Sequence, residues 1–199
     1  MATFTGTNAI DEFRRYTQDS AAPYRVDAAA ALNLVNQAQR LLFIMQPEAF
    51  TSRESVNLVA GCRQAKPHPK SRICRVVESH DGRTVTTVSK MLMDSLNTNW
   101  MNDTANNRVE HQVEFPEDNE NFYIYPPQTG TPTTAVVVSD VHPTALASAG
   151  DILGVEDKYF LAIPLLMGHL HYSEDAGTEA NKIIADKFKT DAMEIIAAR

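Results

Sequence analysis

Apolar residues change their spacing twice along this chain. Before residue 52 and again after 142 they recur three and four apart, as on a helix face; between those points they alternate with polar residues, as on a strand. The first helical stretch, residues 8–18, sets Ile10, Phe13 and Tyr16 near one face, with Asn8 as its cap and Pro23 beyond its end. In the second, Asp27 caps a helix whose Ala28, Leu32, Val35, Ala38, Leu42 and Met45 recur up to Pro47, while Leu34, Leu41 and Ile44 widen the apolar surface. Such breadth implies more than one packing neighbour, within a monomer or between subunits. Near the other end, residues 156–172 predict a helix that Pro164 kinks and Gly168 weakens. A last helix sets Ala180, Ile183, Ile184, Phe188, Ala192, Ile195 and Ile196 on one face, which is expected to pack on the Asp27 helix.

The middle is organised around Asn121-Phe-Tyr-Ile-Tyr-Pro-Pro-Gln128. Phe122, Ile124 and Pro126 point one way and Tyr123 and Tyr125 the other, and Pro126 and Pro127, which have no N–H to donate, are expected to end the strand. Residues 108–115, with Val109, His111, Val113 and Phe115 sharing a face, predict its antiparallel partner across the turn Glu117-Asp118-Asn119-Glu120. Further strands are expected at 55–59, 62–65, 73–80, 83–88 and 133–141, with Asp81-Gly82 folding 73–80 back on 83–88 as a hairpin. Ser89 caps a brief helix to about Leu96, and Trp100, the only tryptophan, follows in an Asn-rich loop. The fold class is therefore α+β: a helical bundle formed by the N- and C-terminal helices, with an inserted antiparallel β-rich lobe. The divisions fall at 1–51, 52–142 and 143–199, the outer two completing one bundle in a single structural subunit.

Composition narrows the function. At 199 residues the chain can bury a sizeable core. Its net charge of −7 disfavours a protein that grips nucleic acid, though not one that lets DNA pass. No apolar run is long enough to cross a bilayer, and the first residues carry neither a basic nor an apolar signal segment. Cys62 and Cys74 are too few for a disulfide framework.

Candidate chemistry is sparse. His169 and His171, two apart on a helix, point to different faces and make poor joint metal ligands. Cys62 and Cys74 flank His68 but lack a CxxC pair, so packed free thiols are the better reading. Phosphate-binding glycine loops and the GxSxG elbow do not occur. Glu117, Asp118 and Glu120 read as a solvated turn, His111 as a satisfied core histidine, and Tyr123 with Tyr125 as sheet packing rather than a stacking platform for bases.

Several stretches in order resemble a known family. Residues 27–40, Gln46-Pro-Glu-Ala-Phe50, Val59-Ala-Gly-Cys-Arg-Gln64, Asn99-Trp100, Val109-Glu-His-Gln-Val113, Phe122-Tyr-Ile-Tyr-Pro-Pro127, Leu153-Gly-Val-Glu-Asp-Lys-Tyr159 and His171-Tyr-Ser-Glu-Asp-Ala176 are similar to the bacteriophage adaptor proteins, the head-to-tail connectors of short-tailed and related tailed phages. The positions carrying the resemblance include Asp27, Pro47, Trp100, His111, Phe122, Tyr123, Tyr125, Pro126, Pro127 and Tyr159. It implies a structural virion protein without catalytic, metal or cofactor sites. Its expected form is a ring, commonly of twelve copies, that docks below the portal protein, extends the DNA channel and meets the tail nozzle protein. Genomic DNA would pass without specific binding and no membrane would be involved. The protein would sit at the head–tail interface, having been in the host cytoplasm before assembly. Pro164, Gly168 and the basic loop Lys66-Pro-His-Pro-Lys70 depart from the family pattern. The alternatives are a nozzle or tail-completion subunit and, outside viruses, a small β-rich binding module. Chain ends fray unless held, so Met193, Ile195 and Ile196, with Arg199, are expected to bury against the portal or a neighbouring copy.

Overall fold

The computed structural model describes residues 3–69, 71–130, 133–174 and 177–198. Within them lie α1 (Gly6–Tyr16), α2 (Ala28–Met45), β1 (Thr51–Leu58), β2 (Gly61–Ala65), β3 (Cys74–Ser79), β4 (Thr86–Ser89) and α3 (Lys90–Leu96). There follow β5 (His111–Glu114), β6 (Asn121–Gln128), β7 (Thr133–Asp140), α4 (Ala162–Glu174) and α5 (Glu179–Ala197). The chain forms an α+β structure of two compact units, one from Met1–Phe50 with His142–Arg199 and the other Thr51–Val141.

In the helical unit α4 is the hub, with α1, α2 and α5 all packed on it. Every residue from Ala162 to Gly168 is buried, as a helix apolar on all sides requires. The predicted kink at Pro164 is corrected. A short 3-10 turn, Asp157–Tyr159, comes first, and α4 begins only at Ala162, so Pro164 occupies its first turn, where an N–H has no intrahelical acceptor to lose. Gly168 likewise does not weaken the packing. A Cβ there would lie 2.9 Å from the Phe188 ring, so the bare backbone is what admits α5 so closely. That neighbour is a second correction, because α5 packs chiefly on α4 rather than α2. Its inward face is Ala185, Phe188, Ala192, Ile195 and Ile196; Ala180, Ile183 and Ile184 point outward.

Asp27 caps α2 as expected, its carboxylate accepting the Ala30 N–H at 2.7 Å. The buried face is rotated from the predicted stripe to Ala31, Leu34, Val35, Ala38, Gln39 and Leu42, leaving Ala28 and Ile44 exposed. Pro47 opens a 3-10 turn, and Tyr159 is buried in the helical core. Helix α1 starts two residues earlier than predicted. Thr5 is the cap and Asn8 its third-residue partner: Asn8 N–H donates to Thr5 Oγ1 at 3.4 Å and Thr5 N–H to Asn8 Oδ1 at 2.9 Å.

The β unit is two packed sheets, ordered β1-β7-β3 and β2-β6-β5-β4, with every pair antiparallel except β4–β5. Leu58, Val76, Phe122, Ile124, Ala135 and Val137 fill the space between them, joined by Val85 and Val109. On the other face of the four-stranded sheet, Cys62, Met93, Trp100, Val113 and Tyr123 form a second cluster. Val109 and Val113 thus belong to different cores: Val109 lies before β5, and of the face predicted to hold both only His111 and Val113 fall within the strand.

Two strand expectations are revised by tertiary pairing. The Asp81-Gly82 turn forms, with Gly82 at φ +77° and Ser79 N–H donating to the Arg83 carbonyl at 2.9 Å. The chain then buries Val85 between the sheets, and β4 pairs in parallel with β5 in the opposite sheet instead of extending the hairpin. Pro126 and Pro127 do not end β6, which runs to Gln128. They fall where β2–β6 pairing is irregular, between Arg63↔Tyr123 and Gly61↔Gln128, so no ladder donor is asked of them. The Pro127 carbonyl still accepts the Asn106 N–H at 2.8 Å.

Candidate assembly surfaces

The polar groups singled out in the sequence are held in structural contacts. His169 Nδ1 lies 3.0 Å from the Ala185 carbonyl, while the His171 ring meets Phe13 edge-on at 5.8 Å, so the two do not converge. His111 is half-buried on β5, hydrogen-bonded to Thr86 and stacked on Tyr125 at 6.2 Å. Tyr123 and Tyr125 donate their hydroxyls to Asp118 and Asp103, each at 2.9 Å. In the acidic turn, Asp118 also accepts from Asn121, and these hydrogen bonds lower its carboxyl to about 2. Burial raises the thiols of Cys62 and Cys74 to about 11. Among the described residues no group of three or more His, Cys, Asp or Glu side chains is placed to hold a metal ion.

Sequence reasoning missed Gln112. Its amide reaches from β5 to the outer edge of β3, accepting the Val76 N–H at 2.7 Å and donating to the Cys74 carbonyl at 2.7 Å. One side chain thereby satisfies a donor and an acceptor that a further strand would otherwise pair. No sequence pattern announces it, because Gln112 stands at an ordinary polar position of an alternating strand.

Exposed apolar side chains are scattered, Ile44, Val59 and Ile152 among them, but α3 and α5 carry three each. On α3, Met93 turns inward while Met91 is 82 % exposed, Leu96 74 % and Leu92 nearly half. This face is firmly mounted: Ser89 caps the helix, Lys90 pairs with Asp94 at 2.8 Å, and buried Trp100 donates Nε1–H to Asp94 at 2.9 Å. The Ser89 cap and the Lys90–Asp94 spacing are legible in sequence, but nothing in the pattern separates outward Met91, Leu92 and Leu96 from inward Met93. On α5 the exposed residues are Ile183, at 63 %, Ile184, and Met193, at 49 %. Ile195 and Ile196 are half-buried against the core of their own unit, and Arg199 lies outside the described residues, as does Lys70 of the basic loop.

A two-sheet unit and a helical unit that both hold apolar side chains outward on rigid supports define a protein equipped for contact with other chains. The particular family follows from the sequence itself. Residues 5–199 match the SU10 adaptor protein family, and the chain belongs to it: it is a structural adaptor protein of a bacteriophage. No match is found among curated proteins.

Proposed function

We propose that this adaptor assembles as a ring, of twelve copies, which docks below the portal, extends the DNA channel and joins the tail nozzle. Family membership supports the class of function, and the observation that carries the docking role is the set of exposed apolar side chains, Ile183, Ile184 and Met193, spread among the charged residues of α5. Met193, Ile183 and Ile184 are its anchors toward the portal; Ile195 and Ile196 contribute only the part their own core leaves uncovered. The α3 face supplies a second, separate contact, as a chain joining two neighbours requires. A net charge of −7 repeated around a ring repels phosphates, so DNA slides through without specific binding. The protein's place is the virion head–tail interface, after a period in the host cytoplasm.

Point variants test docking better than truncation, because deleting 191–199 would also remove fully buried Ala192. Ile183→Lys with Met193→Lys changes only exposed positions, and interface anchors of this kind are worth about 2 kcal/mol or more each. Mass photometry of the chain mixed with purified portal is expected to show a ring complex for the wild type and none for the variant at the same concentration. Unaltered assembly by the variant would remove α5 from the portal contact.

A further inference from the structure

The two sheets of the β unit end in four strand edges, β1 and β3 in one and β2 and β4 in the other, and the chain itself closes two of them. At β3 the Gln112 amide takes the Val76 N–H and the Cys74 carbonyl, both at 2.7 Å, and the Val77 carbonyl accepts the Val85 N–H at 3.2 Å. At β2 the pairing with β6 shifts between Gly61 and Arg63, an irregularity of the kind that turns an edge away from further pairing. The β1 edge carries neither device. It keeps an unbroken register with β7 from Thr51↔Asp140 to Leu58↔Thr133, without proline or bulge. Among the described residues no other hydrogen bond reaches its backbone from residue 52 to residue 58. Its charged side chains, which could bar a neighbour, are engaged within the unit: Arg53 with Glu78 and Glu54 with His68, each at 2.8 Å. The β4 edge is also paired on one side only, with β5, and this short strand runs straight into α3, whose Met91 and Leu92 stand outward. Gln112 and Val85 tie the β4–β5 end of their sheet to β3, so the β4 edge lies on the β3 side of the unit, and β1 lies across β7 from it.

We propose that the β1 edge of one copy pairs with the β4 edge of the next, so that sheets continue from copy to copy. This contact rests on the ring proposed above. Two unlike edges on opposite sides of one unit make a head-to-tail contact, which repeats, whereas two like edges make a pair and stop. Two β1 edges also match poorly. The core-side row of β1 passes from polar Ser52 and Glu54 to apolar Val56 and Leu58. Antiparallel pairing about a two-fold axis over that length would set the polar half of each strand against the apolar half of the other. A strand from a different protein is the remaining occupant, and the test separates it.

Hydrogen–deuterium exchange, read by mass spectrometry, compares the free chain with the chain assembled on purified portal. The amides of residues 52–58 and of residues 86–89 are both expected to slow about tenfold or more on assembly. Slowing in one segment alone would give that edge to another protein and overturn the proposal. Unchanged exchange in both segments of an intact ring would remove this contact and leave the ring, whereas absence of any ring would overturn that reading and this contact with it. Variants at exposed positions add a second readout: Ser55→Lys with Asn57→Lys on β1, and Thr87→Lys on β4, each checked for fold by far-UV circular dichroism. Each is expected to form no ring alone, while their mixture gives one-to-one pairs, because each keeps the edge the other has lost. Rings from either variant alone, or pairs from Thr87→Lys alone, would overturn the assignment.

Discussion

Replacing Gly168 by alanine sets two effects of known sign against each other. In an exposed helix interior the change stabilises by about 1 kcal/mol, through helix propensity. Here the added Cβ would lie 2.9 Å from Cγ and Cδ1 of Phe188 and 3.0 Å from Cδ2. Ordinary carbon contacts start near 3.5 Å, so the overlap is about half an ångström on three ring atoms. The ring has little freedom to retreat, since it is stacked on Tyr172 with centroids 5.9 Å apart. Overpacking of this kind costs about 1–3 kcal/mol, which exceeds the propensity gain over most of its range. The expected net loss is about 1 kcal/mol, or roughly 2–4 °C in melting temperature for a chain of this size. Urea unfolding followed by circular dichroism at the helix band measures it, and a double-mutant cycle with Phe188→Leu assigns it, because the smaller side chain should make Gly168→Ala neutral or stabilising. A stabilised Gly168→Ala single variant would show that α5 is not held by this close approach.

Four further outcomes are expected. Gln112→Ala should lose about 2–4 kcal/mol, because the Val76 N–H and Cys74 carbonyl are left without their partner, and amide exchange at Val76 should accelerate; unchanged exchange there would count against the bridge. Asp118 lies well below the usual carboxylate range, at about 2, chiefly through hydrogen bonds from Asn121, so its contribution is full above about pH 4 and lost as pH falls through about 2. The stability gap between wild type and Asp118→Asn should narrow over that window, and a constant gap would refute the assignment. Cys62 and Cys74, raised to about 11 by burial, should react slowly with a chromogenic disulfide at neutral pH and faster as pH approaches 11, whereas rapid neutral labelling would contradict their environment. Trp100→Phe should destabilise α3 by about 1 kcal/mol through loss of the hydrogen bond to Asp94, seen as faster exchange of the α3 amides.

Local chemistry was legible where a residue's neighbours in sequence are also its partners in space. The Asp27 and Ser89 caps, the Asp81-Gly82 turn and the two faces of Asn121–Gln128 are of this kind, since a cap, a tight turn and strand alternation are decided within a few residues. The order of adaptor-like stretches likewise pointed to the family that residues 5–199 match. What the sequence left open was set by partners distant along the chain. It did not say that α4 rather than α2 is the hub, because several helices were apolar enough for that place and only packing chose among them. It misjudged Gly168, whose value lies in a ring twenty residues away, and Pro164, which is harmless only because the helix starts late. It sent β4 back along β3, although the burial of Val85 between the sheets carries that strand to β5. The outward faces of α3 and α5 were hidden for the same reason: the pattern marks a side chain as apolar, and only the neighbours it meets, or lacks, decide whether it fills a core or is offered to another chain.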